Sequence, residues 1–502
     1  MAESLVNLRE VRRALGEARG KRKLDLILSA PDPEALVAAL PPEELYFAIL
    51  DVGSEDAAEL VAFATPDQFR HFVDMSAWPR SDEGPETKEL VRWLELSREG
   101  AEGNPERFKK QIAGLDNELL SLLLRREIHV HELSDDEQPE PENPGMTYYS
   151  PDRRYMLEFQ GGAGYAAMKN LVDELYAEDP IVASRLLEST RWDLPTQLEE
   201  SARRWRDGRL RDLGVPPFEE AISFYARPAA SAAGTAPSGG TALTVPSRPL
   251  LDAALDQLTG DELELAEEGL IYASNAALVA NRTQLADPDD IRDQLVAARS
   301  TLSLGLEVLS GGDPVRAARL LVERPAREIF QAGMGDAYRL QTRARRIAAA
   351  TRLPQAKTVT LLDPPLGAVV DALLRMRPAF HEPGARRPRA FGLRAEVLQA
   401  ELLLDEAEGT ASLLGKLGLS PAELGSLLDA AQLAPTALKA SSAVRALVEA
   451  RLTGAPFSLS TVGDSDHRSP EGFAAKVVEV LGAAAQTDAE RRAADRLRAA
   501  LS

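Results

Sequence analysis

The chain is predicted to be mainly α: a multi-domain helical protein of α-solenoid type, with at most a small β-hairpin near residues 146–160. Three observations lead there. Leu and Ala dominate the apolar set, which makes up 44% of 502 residues, while aromatics reach only 5%, a balance that favours helix over sheet. Helix-start signals recur along the chain, each a capping residue or a proline tolerated in the first turn, followed by acids that suit the positive end of a helix. Apolar residues after these starts recur at steps of three and four, one face of a 3.6-residue period.

The chain begins with a predicted lead helix over residues 3–28, basic between Arg9 and Lys23 and apolar at Leu5, Leu8, Val11 and Leu15. Its apolar face is narrow, so packing is expected rather than membrane docking. From Pro31 to Asp74 four short amphipathic helices follow, opened by Asp32-Pro33, Pro41-Pro42, Ser54 with Glu55 and Asp56, and Thr65-Pro66. Thr65 and Gln68 fit a capping box. The apolar sets are Leu36/Leu40, Leu45/Ile49, Leu60/Ala64 and Phe69/Phe72/Val73. Helices of two to three turns are unstable alone in water, so stacking on one another is expected.

The stretch LPPEELYFAILDVGSEDAAELVAFATPDQ resembles the helical repeat in the cytosolic N-terminal domain of MgtE-type magnesium transporters and the similar modules of the flagellar switch protein FliG. That resemblance covers residues 31–74 and implies a superhelical fold. Over its full length the chain resembles a deltaproteobacterial family defined by a domain of unknown function. RRWRDGRLRDLGVPPFEEAISFYA, Arg203 to Ala226, carries most of that likeness, which implies a bacterial source and no particular activity.

Helical patterns continue through Lys88–Gly100, PERFKKQIAGL and DNELLSLLLRREIHVHEL. His129 and His131 sit at a helix end in this reading, and a metal site would need further ligands. The chain has five histidines, and nothing draws the others toward these two. Asp135, Asp136 and Glu137 lie close in sequence. Residues 134–145 form an acidic, proline-rich linker. MTYYSPDRRYMLEF then gives the one predicted hairpin. Gly161, Gly162 and Gly164 precede a helix, but their spacing fits neither phosphate-binding fingerprint, so a strand-to-helix turn is expected.

The segment from Asp179 to Ala226 is chemically the most distinctive. It holds Trp192 and Trp205, two of four tryptophans, and Arg203, Arg204, Arg206, Arg209 and Arg211 crowd around the second, interleaved with Glu199, Glu200, Asp207 and Asp212. Two readings stand: an arginine-lined anion or partner site with an aromatic platform, or a salt-bridged helix turning at Gly208 and again at Gly214. Residues 227–249 are small and rich in Pro and Gly, the clearest linker. Beyond them the pattern is helical to the end, with starts at Thr259-Gly260-Asp261-Glu262, Asp287-Pro288, Ser420 and Thr487. Residues 302–350 read as three helices broken at Gly311-Gly312 and Gly333–Gly335, and Arg339, Arg343 and Arg346 form a second candidate basic patch.

The predicted organisation is a helical-repeat domain over 1–133, the linker 134–145, a second helical segment over 146–226, the linker 227–249 and a C-terminal helical domain over 250–502. The net charge of −21, from 79 acids and 58 bases, argues against nucleic acid as the partner. There is no cysteine, hence no disulfide framework, thiolate nucleophile or Cys-based metal site. No run approaches a membrane span and no signal peptide is recognisable, so the cytoplasm is the expected location. No catalytic residue, metal or cofactor is assigned, because the chain contains none of the spacings that mark hydrolases, metalloproteases or kinases. The function expected is a non-catalytic helical scaffold or adaptor that binds another protein. The candidate anion- or partner-binding residues are Arg203, Arg204, Trp205, Arg206, Arg209, Arg339, Arg343 and Arg346. A divalent-cation- or nucleotide-responsive regulator and an enzyme with a site near 203–225 stand as alternatives.

Overall fold

The computed structural model describes residues 20–53, 56–78, 84–134, 140–160, 165–227, 249–283, 287–354, 356–459, 462 and 469–501. The earlier part of the lead helix, Ser54 with Glu55, Asp135, Asp136 and Glu137, the three glycines at 161, 162 and 164, most of the 227–249 stretch and His467 lie outside them. The chain divides into two compact units, Met1–Ile222 with Asn275–Leu295 and Ser223–Ser274 with Val296–Ser502.

The first unit contains α1 (Lys21–Leu28), α2 (Pro33–Ala39), α3 (Pro42–Val52), α4 (Ala58–Phe63), α5 (Pro66–Ser76), α6 (Thr87–Gly100), α7 (Pro105–Ala113) and α8 (Asn117–Glu127). After these come β1 (Ile128–Glu132), β2 (Thr147–Tyr149), β3 (Tyr155–Phe159), α9 (Tyr165–Glu178), α10 (Pro180–Trp192) and α11 (Pro195–Asp212). The helix starts are those the sequence marks: Asp32 accepts the Ala35 amide at 3.0 Å, and Thr65 and Gln68 close their capping box with bonds of 3.2 and 2.9 Å. From α1 to α5 each helix packs against the next but one, α1 on α3, α2 on α4, α3 on α5, α4 on α6 and α5 on α7. This is how elements too short to persist alone acquire a common core.

Two buried glutamines repeat one device through these layers. Gln68 on α5 donates through Nε2 to the carbonyls of Val37 and Leu40, both at 2.8 Å, and so satisfies the C-terminal end of α2. Gln111 on α7 does the same for α4, donating to Val61 at 2.8 Å and Ala64 at 2.7 Å. Helix ends leave carbonyls without intrahelical partners, and a buried helix end needs such a donor. The carbonyls served belong to equivalent positions: Leu36-Val37-Ala38 and Leu60-Val61-Ala62 recur 24 positions apart, as do Pro42 and Pro66. The shared core joins Tyr46, Phe72 and Trp93, with ring centroids 6.1 Å (Tyr46–Phe72) and 5.2 Å (Phe72–Trp93) apart.

The predicted hairpin is present as β2 and β3, and it acquires a third strand. The sheet order is β1-β3-β2, antiparallel, with His129 opposite Glu158 and Thr147 opposite Glu158 from the other side. IHVHE, expected to finish a helix, is therefore a strand. Ile128 and Val130 alternate with polar residues and can pair with the buried β3, an opportunity a local helical pattern does not reveal.

The second unit takes up the chain at the end of α12 (Phe218–Ser223) and contains α13 (Leu250–Leu255), α14 (Asp261–Ala280), α15 (Pro288–Ser310), α16 (Pro314–Glu323) and α17 (Ala326–Thr351), α14 and α15 each only in part. Its remaining elements are β4 (Arg352–Leu353), β5 (Ala356–Thr360), α18 (Leu366–Leu373), α19 (Arg394–Lys416), α20 (Pro421–Ala431), α21 (Ala440–Thr453), α22 (Phe473–Ala484) and α23 (Asp488–Leu501). The two-stranded sheet β4–β5 was not legible in a region that is otherwise helical. One apolar cluster gathers Leu304, Leu340, Val370 and Leu404, another Leu413, Leu428, Val444 and Leu481.

Two expected breaks are absent. α17 runs straight through Gly333, because that glycine serves a close approach between helices: a Cβ there would lie 2.2 Å from the Thr301 carbonyl oxygen on α15. Gly305 on α15 is its counterpart, with the Ile329 oxygen 1.9 Å from where its Cβ would be. α11 likewise continues past Gly208 and ends where Gly214 takes a positive φ of 75°. Among the described residues no helix is long and apolar enough to cross a membrane.

Candidate functional site

Helix α11 carries most of the sequence-predicted site residues, and the structure sorts them onto different faces. Leu198, Ala202, Arg206 and Leu210 are buried at four-residue steps, so one arginine stands in the apolar stripe. Arg206 is 5% exposed. Its Nε donates to the Asp74 carbonyl at 2.7 Å, its Nη1 to Asp207 Oδ1 at 3.1 Å, and its guanidinium lies 5.3 Å from the centroid of the Trp78 ring. Burial pulls its pKa down, against the attraction of Asp74 and Asp207, and raises that of the neighbouring Asp207 carboxyl.

Arg209 is the cross-brace. Its Nε and Nη2 donate to Asp74 Oδ2 and Oδ1 at 2.8 and 2.9 Å, and its Nη1 and Nη2 donate to Asp116 Oδ1 and Oδ2 at 2.9 and 2.7 Å. Asp74 lies on α5 with a side chain 2% exposed, and Asp116 occupies the residue just before α8, its carboxylate turned to Arg209 rather than to the helix amides. Two parallel forks on one guanidinium tie three helices together. Burial disfavours its charge, but the hydrogen bonds and Coulombic attraction of the two aspartates prevail and hold its pKa above the usual arginine value. Arg206 and Arg209 are thus committed inside the protein. Arg203 pairs with Glu199 at 2.9 Å, and its Nε is buried without a hydrogen-bond partner among the described residues.

Arg203, Asp207, Leu210, Pro217, Phe218 and Val279 are among the residues that line a cavity of about 120 Å³. At about 30 Å³ per water that is room for roughly four waters, well below the several hundred Å³ of a typical small-molecule site.

The opposite face is open. Trp205 is 56% exposed, Arg204 and Arg211 are exposed and make neither a direct ion pair nor a hydrogen bond among the described residues, Arg211 attracting Asp207 only at longer range, and nothing among the described residues lies within 4 Å of a Cβ placed on Gly208. Arg204 and Arg211 are seven residues apart, two helical turns along one face, with the indole beside the first. Trp192, 68% exposed at the end of α10, instead donates to Glu188 at 3.0 Å and lies under Arg191.

The second predicted patch, on α17, faces α19. Arg339 pairs with Glu401 at 2.5 Å and Asp336 at 3.3 Å, and Arg343 with Asp405 at 2.7 Å and Glu408 at 3.0 Å, while Arg346 is exposed and makes no ion pair among the described residues. Arg492 and Arg496 on α23 join from the other side, to Asp405 and Glu406. His131 pairs with Glu158 at 3.2 Å, and His129 Nε2 lies 3.2 Å from Gln160 Nε2. Among the described residues no group of three or more His, Cys, Asp or Glu could hold a metal ion.

The glutamine caps and the Asp74–Arg209–Asp116 brace escaped sequence reasoning. The 24-position recurrence was the available signal for the caps. Nothing local connects residues 74, 116 and 209.

Fold and site together define a mainly α protein of stacked short helices, braced by buried ion pairs, with one aromatic–arginine helix face open to solvent. The chain belongs to a Family of unknown function (DUF6178), whose model matches residues 2–501. No curated protein and no solved structure matches it.

Proposed function

We propose that this chain is a non-catalytic helical scaffold of the bacterial cytosol that docks another protein on the outer face of α11, and that the partner presents an acidic segment carrying an apolar side chain. The observation that carries this reading is Trp205, 56% exposed on the helix that also exposes Arg204 and Arg211, two cations that make no direct ion pair among the described residues in a chain with 79 acids. Exposed Trp and Arg dominate binding energy at protein interfaces. Like charges repel elsewhere on so acidic a surface, so two exposed cations steer an acidic segment to this face. The enzymatic alternative is weakened by the small volume of the cavity beside Arg203. The domain boundaries read from composition and the deltaproteobacterial origin belong to the same proposal.

A photo-crosslinking residue placed at Gly208 tests it, with the same residue at Arg346 as comparison. The reading expects one partner to be captured from position 208, and the purified partner to bind the Trp205→Ala chain at least tenfold more weakly. Capture equal at both positions, or full affinity without Trp205, would refute it. The regulatory alternative, motivated by the likeness of residues 31–74 to the MgtE-type domain, expects millimolar magnesium or ATP to raise the melting temperature by mass action. The scaffold reading expects no rise.

A further inference from the structure

The second unit contains a cavity of about 360 Å³ between α13, α15 and the segment entering α19. It falls within the range of small-molecule pockets and has room for about twelve waters. Its walls are largely apolar, built from Leu251, Val296 and Leu393. Val296 is 59% exposed, an aliphatic side chain at the opening rather than in the core.

The polar groups around it are unequal in what they have left to offer. Arg299 donates to Asp252 at 2.7 Å, and Arg389 donates to Glu396 at 2.6 Å. The Glu396 carboxylate also accepts the Gly392 and Leu393 amides at 2.8 and 3.2 Å. It is buried and accepts three hydrogen bonds, and it fixes the wall that carries Arg389. Each guanidinium has five donors. Among the described residues Arg299 has used one on Asp252, and Arg389 has used one on Glu396 and a longer one, 3.3 Å, on the Ala390 carbonyl. Both side chains are about half exposed at the rim. The Ser300 hydroxyl on the same wall makes no hydrogen bond among the described residues. The unused capacity is therefore mostly that of donors, set above an apolar floor.

We propose that this cavity binds a small amphipathic carboxylate, its head held by Arg299 and Arg389 and its hydrocarbon body against Leu251, Val296 and Leu393. A purely polar anion gains nothing from those walls. A purely apolar molecule leaves the donors idle, and an alkylammonium would meet two arginines and only the Asp252 and Glu396 carboxylates that those arginines already occupy. A carboxylate with a chain of about eight carbons matches the space. This site is separate from the face of α11 and does not depend on the docking reading.

The test is calorimetric titration of the full chain with hexanoate, octanoate and decanoate, each below its micellar concentration, with octylammonium and octanol as head-group controls. Affinity is expected to climb about fourfold per added methylene while the chain is being buried, and to level off once the space is filled. Arg299→Gln should weaken octanoate at least tenfold. Val296→Trp, a change at an exposed position that closes the opening, should abolish binding and leave the melting temperature within a few degrees. The proposal is overturned if octanoate does not bind, if octylammonium binds as well as octanoate, or if Val296→Trp leaves octanoate binding unchanged.

Discussion

At the scale of single residues, stability rests on a few buried polar groups whose partners lie far away in sequence. Gln68 serves two carbonyls on α2 while its own Oε1 is held by the Thr65 amide. Gln68→Leu keeps the volume, takes the side-chain donor from the Leu40 carbonyl and the acceptor from the Thr65 amide, and leaves the Val37 carbonyl with the Leu40 amide alone, so chemical denaturation should show a loss of about 2–3 kcal/mol. Arg209→Leu leaves the Asp74 carboxylate buried without its fork and should cost about 3–5 kcal/mol. His71 behaves differently. It is 5% exposed, its Nε2 has no hydrogen-bond partner among the described residues, and burial lowers its pKa below 6.5 despite the nearby Glu43 and Asp74 carboxylates. Below pH 6.5 the unfolded chain binds a proton at this histidine more readily than the folded one, so stability falls as the pH is lowered. The loss is at most about 1.4 kcal/mol per pH unit for one site. Urea midpoints at pH 7.5, 6.5 and 5.5 should drop more steeply for the natural chain than for His71→Leu.

At the scale of elements, glycines and arginines carry meanings that depend on what lies across from them. Gly333 and Gly311 look alike in sequence. Gly311 and Gly312 take positive φ values of 72° and 88° just past the end of α15, whereas Gly333 is helical and lets α17 approach α15. A Cβ at 333 must push Thr301 away, so Gly333→Ala should destabilise the second unit by about 1–3 kcal/mol, a change that differential scanning calorimetry would detect. The caps at Asp32, Thr65 and Ser420 and the β2–β3 hairpin were legible because their determinants lie within a few residues. β1 was not, since its strand character comes from pairing with β3 across an intervening linker. The same holds for α11. Its arginines are all visible in the sequence, but only the positions of Asp74 and Asp116 decide that Arg209 is structural while Arg204 remains outside.

At the scale of the whole molecule, short helices are held by stacking, by glutamines that close helix ends and by a guanidinium that bridges three elements, and this leaves the outer face of α11 open to solvent. On α11 the division is sharp: Arg206 and Arg209 point to the fold, Arg204, Trp205 and Arg211 to solvent. The most direct test pairs thermal melting with affinity for the partner captured at Gly208. Two double variants are compared, Arg204→Glu with Arg211→Glu on the outer face and Arg206→Gln with Arg209→Gln on the inner one. The account predicts an unchanged melting temperature and at least a tenfold loss of affinity for the outer pair, and a fall of many degrees in melting temperature for the inner pair. An outer pair that binds normally, or an inner pair that melts with the natural chain, would contradict it.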